Sequence, residues 1–321
     1  MRAAAAGAAI GYDPGVTTPR HRLLTLATRR SALALAQSRA FLGTLVAATP
    51  GLAVEELQIV TSGDKDQTSR LSDIGGKGLF VKELEEALYA RTADLAVHSI
   101  KDVPGHLAPG LVIGCVPLRE DPRDALIGRG GAKLADLPQG AKVGTSSLRR
   151  ALCLKRARPD LVIEPLRGNV DTRLRRIDEG AFDAGVLALA GLRRLGIEAR
   201  ATEVLDPTVS LPAVGQGALG IECREDDAEV LAVLAPLAHA PTWTCVAAER
   251  AVLAAVGGDC KTPIAAYARR EGDDLVLDAL LADGDGTRLR TGSRRIGWPS
   301  GSGRAEAERI GRDLGDELLR G

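Results

Sequence analysis

The stretch "LPAVGQGALGIEC" (residues 211–223) joins a proline and three glycines to an apolar run, and where that run goes decides the fold. By composition it is a strand introduced by Pro and Gly. It follows a chain in which short apolar runs alternate with amphipathic helical patterns, the mark of βαβ units on a parallel or mixed sheet. The first cycle reads "LLTLATR" (23–29) as a strand, "SALALAQSRAFLGTLVAA" (31–48) as a helix and "VEELQIV" (54–60) as a strand. It continues with the helix "GLFVKELEEALYAR" (78–91), apolar at 79, 80, 84, 87 and 88, and the strand "ADLAVHSI" (93–100), which ends in the turn "KDVP". A second cycle starts near residue 123: strand "AKVGTSS", helix "LRRALCLKRARPD", strand "LVIEPL", helix "NVDTRLRRIDEG", strand "AGVLALA". The opening stretch then returns the chain to the first unit. The expected fold class is therefore α/β, with two similar lobes joined by crossing segments near 117–123 and 209–218. A cleft between such lobes, at the carboxyl ends of strands, is a favoured ligand site.

From about residue 240 the pattern changes to a helix (243–256), strands near 263–270, 274–283 and 287–296, and a helix near 303–320. The turns "GDD" and "DGDG" indicate antiparallel hairpins, hence a small C-terminal α+β domain. The expected division is residues 21–117 with 218–236 as domain one, 118–217 as domain two and 237–321 as domain three. Residues 1–20 hold small residues without a leucine-rich core and read as a disordered extension, not a secretory signal.

Lys+Arg and Asp+Glu each total 42, so net charge does not point to nucleic acid, and no run of eighteen uncharged apolar residues suggests a membrane span. Five cysteines (115, 153, 223, 245, 260) form no CxxC pair and no ligand-like spacing with the four histidines, so reduced cytoplasmic thiols and no metal site are expected. Four of them sit in apolar runs. Cys260, in "AVGGDCKTPIAA" (255–266), stands in a glycine loop, and by itself that loop leaves nucleophile, metal ligand, redox switch and attachment point all open.

Residues 142–176 hold ten Lys/Arg against three acids. In "VGTSSLRR" a strand ends at Thr145, Ser146 and Ser147, and Arg149 and Arg150 enter the first helical turn, where the helix dipole disfavours cations. That placement suggests an anionic ligand. "PLRGNVDTRLRR" repeats it with Arg167 and Arg173; Arg156, Arg158, Arg175 and Arg176 read equally well as solvated helix faces, since 34 of the 42 cations are arginine. Aromatic residues are only 2% of the chain, too few for base-stacking platforms. "AVHSIKDVP" puts Ser99, Lys101 and Asp102 at a strand end before Pro104. Asp102 is either a general acid/base or cation stabiliser, or an Asx-turn aspartate. His98 points oppositely to Ser99 and reads as a packed core histidine. "IGGKGLF" is a lid or a plain loop, and it lacks the P-loop order.

Together these stretches resemble the porphobilinogen deaminase (hydroxymethylbilane synthase) family. The resemblance rests on "ATRRSALALAQ", "GGKGLFVKELE", "AVHSIKDVP", "REDPRDALI", "VGTSSLRR", "LRGNVDTRL", "LPAVGQGALGIECR" and the cysteine loop, eight motifs in order. It implies periplasmic-binding-protein-like lobes and a transferase that links four porphobilinogen molecules on a dipyrromethane cofactor, attached covalently to the residue matching Cys260. The resemblance further implies a catalytic Asp102, with cofactor contacts from Ser99, Lys101, Thr145, Ser146, Ser147, Arg149, Arg150 and Arg173. Substrate contacts would come from Arg29, Gln37, Arg167 and Arg194, and Lys77 and Phe80 would lie on an active-site loop. A cytoplasmic monomer with no nucleic-acid or membrane partner is expected. The competing readings are a two-lobed binding protein for small carboxylate anions, which needs neither the third domain nor Asp102, and a DNA-binding regulator, for which a basic helix-turn-helix segment is lacking.

Overall fold

A computed structural model describes residues 23–65, 80–257, 262–284, 286–301 and 303–321. The expected extension over residues 1–20, Lys77 and Cys260 all lie outside the described residues.

The first lobe contains β1 (Leu24–Arg29), α1 (Ala32–Ala48), β2 (Val54–Ile59), α2 (Ser62–Lys65), α3 (Lys82–Tyr89), β3 (Leu95–Ser99) and β4 (Leu111–Cys115). Alternation along the strands sends Leu24, Leu26, Leu95 and Val97 into one core with Phe41 and Leu45 of α1, and Ala27 and Ala96 into another with Leu84, Ala87 and Leu88 of α3. Full burial contributes roughly 1.5–3 kcal/mol for each large side chain. Ser31 caps α1, its Oγ accepting the Ala34 N–H at 3.3 Å. The helix expected over 78–91 forms only from Lys82 among the described residues.

The second lobe contains β5 (Asp124–Gly128), β6 (Lys142–Gly144), α4 (Leu148–Ala157), β7 (Val162–Glu164), α5 (Val170–Asp178), β8 (Ala184–Ala188), α6 (Leu189–Arg194) and β9 (Glu203–Val204). The chain then comes back to the first lobe as β10 (Leu219–Arg224), followed by α7 (Ala228–Leu234). The two sheets run β2-β1-β3-β10-β4 and β7-β6-β8-β5-β9. In each, three parallel strands are followed by one reversed strand and an edge strand.

The sequence quoted at the outset is thus a crossing segment and the reversed strand of lobe one. Gly215 and Gly217 have φ of +66° and +88°, which favours glycine, and a Cβ on Gly217 would stand 2.4 Å from the Glu120 carbonyl oxygen of the other crossing segment. The two crossings touch backbone to backbone, with the Glu120 N–H donating to Gly217 O at 3.2 Å, and the Arg119 side chain adds a bond from Nε to Gln216 O at 2.8 Å.

The C-terminal domain packs α8 (Ala240–Ala255) and α9 (Arg304–Arg320) on the antiparallel sheet of β11 (Ile264–Glu271), β12 (Asp274–Leu281) and β13 (Arg290–Gly297). Fully buried Glu249 of α8 ties it to both crossings. It accepts from Arg119 Nη1 at 2.6 Å, from Gly215 N–H at 2.6 Å and from Ala268 N–H at 2.8 Å. Among the described residues no single helix is long and apolar enough to cross a membrane.

Candidate active site

Between the lobes lies a cavity of ≈570 Å³, lined by the residues that follow the carboxyl ends of β1, β3, β6 and β8. Seven cationic side chains line it (Arg29, Arg30, Lys101, Arg150, Arg167, Arg173, Arg194), against three carboxylates (Asp64, Asp102, Asp171) among the described residues. The N-termini of α1, α4 and α5 add backbone N–H groups through Ser31, Ser146 and Asn169.

Asp102 ends a 3₁₀ turn, Ile100–Asp102, directly after β3, and the turn is closed by the Val103 N–H donating to Ile100 O at 3.0 Å. An Asx-turn would need an N–H two residues on, and Pro104 has none. Asp102 lines the cleft, and no hydrogen bond to its carboxylate comes from a described residue. Lys101 beside it is pushed down to about 8 by burial; Asp102 opposes this shift and Arg150 adds to it. Ser99, at the end of β3, lines the same cavity, its Oγ accepting from Gln37 Nε2 at 2.9 Å.

Arg173, Arg194 and Arg29 are held in place by the protein itself. Arg173 Nε donates to Gly168 O at 2.7 Å and Arg194 Nη2 to Gly217 O at 2.7 Å. Arg29 is held by Asp64, with Nε to Oδ2 at 3.2 Å, and its guanidinium lies 4.1 Å over the Phe80 ring. Burial pushes Arg173 down to about 10, and the neighbouring charges of Arg150 and Arg167 add to the effect. Like charges crowded in a half-enclosed cleft are relieved by a polyanion, and guanidinium forks suit carboxylates. The arrangement can hold a ligand that carries several carboxylates, with the Asp102 carboxylate beside it.

Eleven expected site residues meet at this cavity: Arg29, Gln37, Phe80, Ser99, Lys101, Asp102, Ser146, Arg150, Arg167, Arg173 and Arg194. Three do not line it. Ser147 caps α4, its Oγ accepting the Arg150 N–H at 3.4 Å, and buried Thr145 accepts the Ser147 N–H at 3.2 Å. Arg149, 4% exposed, donates from Nη1 to Asp124 Oδ2 at 2.7 Å and to Leu211 O at 2.7 Å. The anion that the two helix-start arginines imply is in the first instance the protein's own Asp124. Arg150 Nη2 reaches Asp124 Oδ1 at 2.8 Å, Ser210 Oγ donates to Oδ2 at 2.7 Å and Gln216 Nε2 to Oδ1 at 2.9 Å. Burial alone would raise this carboxyl, but Arg149 and Arg150 hold it well below the usual carboxylate range. Lying at the start of β5, Asp124 therefore locks the second lobe's arginines to both crossing segments.

Sequence reasoning missed Asp124, Asp64 and Glu249. The available signal for Asp124 was an acid immediately before the apolar run "ALI" of a strand, a position that is buried in a sheet and so demands a cationic partner. His98 is the buried histidine expected, and its Nε2 lies 2.9 Å from Glu222 Oε2 on β10. Arg156 is solvent-exposed; Arg158 bonds Leu134 O and Asp160, Arg175 pairs with Glu179, and Arg176 lies over Phe182, so these four do not enter the cleft.

Residues 24–232 match the family model "Porphobilinogen deaminase, dipyromethane cofactor binding domain", and residues 243–320 match "Porphobilinogen deaminase, C-terminal domain". The chain is 68% identical over 298 residues to a porphobilinogen deaminase of Sorangium cellulosum, covering 93% of this chain and 99% of that one. It is 51% identical to one of Syntrophobacter fumaroxidans, covering 93% and 94%. Among solved structures it resembles the periplasmic aliphatic sulphonate binding protein SsuA of Escherichia coli, with a TM-score of 0.39 and 16% identity over 73% of this chain and 70% of that one, a likeness too distant to bear on function. The chain belongs to the porphobilinogen deaminase family, a family of enzymes with a dipyrromethane cofactor-binding domain.

Proposed function

We propose that this enzyme is a transferase that condenses four porphobilinogen molecules in turn on a dipyrromethane joined by a thioether to Cys260. Ammonia leaves at each step, and hydroxymethylbilane is finally released for tetrapyrrole synthesis. The observation that carries the reading is the Asp102 carboxylate, set by the turn after β3 and without hydrogen bonds from described residues, in a cleft where seven cations outnumber three carboxylates among the described residues. A dipyrromethane bears four carboxylates and each porphobilinogen two more, so a growing chain needs this cationic surplus and little else. When bound, the dipyrromethane supplies the nucleophilic pyrrole carbon to which the first substrate unit is joined.

The chain's own residues divide the work. Arg150 and Arg173, with Ser99, Lys101 and Ser146, face the cofactor's side chains; Arg149, Thr145 and Ser147 act from behind by fixing the helix start. Arg29, Gln37, Arg167 and Arg194 face the substrate, and Phe80 and Lys77 are assigned to an active-site loop. Loss of ammonia leaves a cation on the substrate's pyrrole. The Asp102 carboxylate, beside Lys101, stabilises that cation, because a group already positioned where charge develops acts without reorganisation. The domain limits given above belong to this reading, as does a cytoplasmic monomer. The four described cysteines are buried free thiols, three of them (Cys115, Cys223 and Cys245) pushed up to about 12 by burial, which fits a reducing compartment and leaves Cys260 as the reactive one.

An intact mass of the purified protein tests the proposal. The expected result is an adduct of two linked pyrrole units that is absent from Cys260→Ser. An unmodified mass in a protein that also leaves porphobilinogen unconsumed overturns it and favours an anion-binding protein instead.

A further inference from the structure

With no hydrogen bond from a described residue, the Asp102 carboxylate stands where its backbone turn puts it. The entry to that turn is fixed by Ile100, which is 1% exposed, donates its N–H to Ala218 O at 3.1 Å and seats its side chain against Gly215 and Gly220. The exit has no such pairing, since Pro104 offers no N–H. Its three successive carbonyls are instead gathered by one side chain. Arg250 Nη1 donates to Val103 O at 3.4 Å, and Nη2 donates to Pro104 O at 2.9 Å and to Gly105 O at 3.4 Å. No carboxylate forms a salt bridge with Arg250 among the described residues, so its half-buried charge is met in direct contact by these carbonyl dipoles and at longer range by Glu222. Arg250 belongs to α8, the helix that ends at Ala255, five residues before Cys260. Close approach reinforces the clasp: a Cβ on Gly105 would stand 3.2 Å from Ala254 Cα.

We propose that Arg250 is a positioning residue for Asp102, holding the exit of its turn and so tying the carboxylate to the helix that leads into Cys260. This rests on the reading of Asp102 as the catalytic carboxylate. A planar fork of five donors can span three consecutive carbonyls, whereas a lysine ammonium is a point charge on a flexible stem. Displacing a reacting group by an ångström costs up to about a hundredfold in rate, so the residue governs turnover without touching substrate.

The experiment compares steady-state porphobilinogen consumption in the wild type, Asp102→Asn, Arg250→Lys and Arg250→Ala, each loaded with cofactor as judged by intact mass. Arg250→Ala is expected to lower kcat about tenfold to a hundredfold with KM within about twofold, and Arg250→Lys to recover part of the loss. Arg250 also lines a solvent-reaching cavity of ≈280 Å³ on the far side of the turn. Millimolar guanidinium should therefore restore Arg250→Ala, and sodium chloride at equal ionic strength should not. If Arg250→Ala fails to fold, Gly105→Ala, which wedges α8 away from the turn, is expected to show the same fall in kcat at constant KM. Wild-type kcat in Arg250→Ala, or in Gly105→Ala where that variant stands in, overturns the proposal, as does a loss that guanidinium leaves untouched. Normal turnover in Asp102→Asn is a separate result, which removes the reading of Asp102 itself.

Discussion

Lobe one and lobe two have the same strand plan, and they differ in how tightly their strand ends are held. After β3, the first lobe presents Asp102 on a short turn, its carboxylate bonded by no described residue. After β6, β7 and β8, the second lobe presents Arg150, Arg173 and Arg194, each secured in advance: Arg150 to Asp124, Arg173 to Gly168 O, Arg194 to Gly217 O. Groups that hold carboxylates of unchanging charge can be fixed permanently, and fixing them spares the cost of ordering them on binding. A group that must answer a charge appearing only during the reaction has to keep its oxygens available. The shared plan therefore serves two purposes: lobe two is given over to gripping, and lobe one adds a reactive carboxylate to its own secured Arg29.

The sharpest way to break this comparison is Asp102→Asn. Turnover should fall by about 10²–10³-fold, while the thermal melt stays near that of the wild type, because no described hydrogen bond is lost; a large drop in Tm would make the residue structural. Asp124→Asn probes the gripping lobe. Removing one partner of a buried ion cluster costs about 3–5 kcal/mol, so urea unfolding should shift strongly, and KM for porphobilinogen should rise because Arg150 loses its anchor. An unshifted urea midpoint would mean that the arginines are held by something else. The smallest effect concerns Lys101. Its folded pKa of about 8 lies below the ordinary lysine value, so the folded protein sheds this proton first as pH rises. Between about 8 and the unfolded value the unfolded chain binds more protons, and stability from this group increases with pH there. The cleft meanwhile loses a cation beside Asp102, so KM should rise severalfold above pH 8 in the wild type and stay flat in Lys101→Met.

The lobes, the crossings and the third domain were legible because period-two and period-3.6 patterns report burial directly. Asp102 was legible as one of two things, and Pro104, two residues further on, decides against the Asx-turn by lacking an N–H. Arg149 and Arg150 were readable as two cations against a helix dipole, yet the pattern could not say whether the compensating anion was a ligand or a side chain. That depends on Asp124, 25 residues earlier in sequence and brought beside α4 only by the sheet. Glu249 was hidden for the same reason, since its partners come from both crossings and from β11. Local pattern specifies elements, and long-range charge pairing appears only once they are packed.

The reversed strand of lobe one has a consequence for how the chain is made. β10 fills the gap between β3 and β4, but it leaves the ribosome only after all of β5 to β9. The second lobe's sheet is continuous in sequence and can close as soon as it emerges. The first lobe, although synthesised earlier, must wait with two open strand edges for its missing piece. Domains usually fold in the order of their synthesis; here the order is inverted, and the later-made half is complete while the lobe that bears Asp102 is still unfinished, exposed to edge-to-edge pairing until residue 224 arrives.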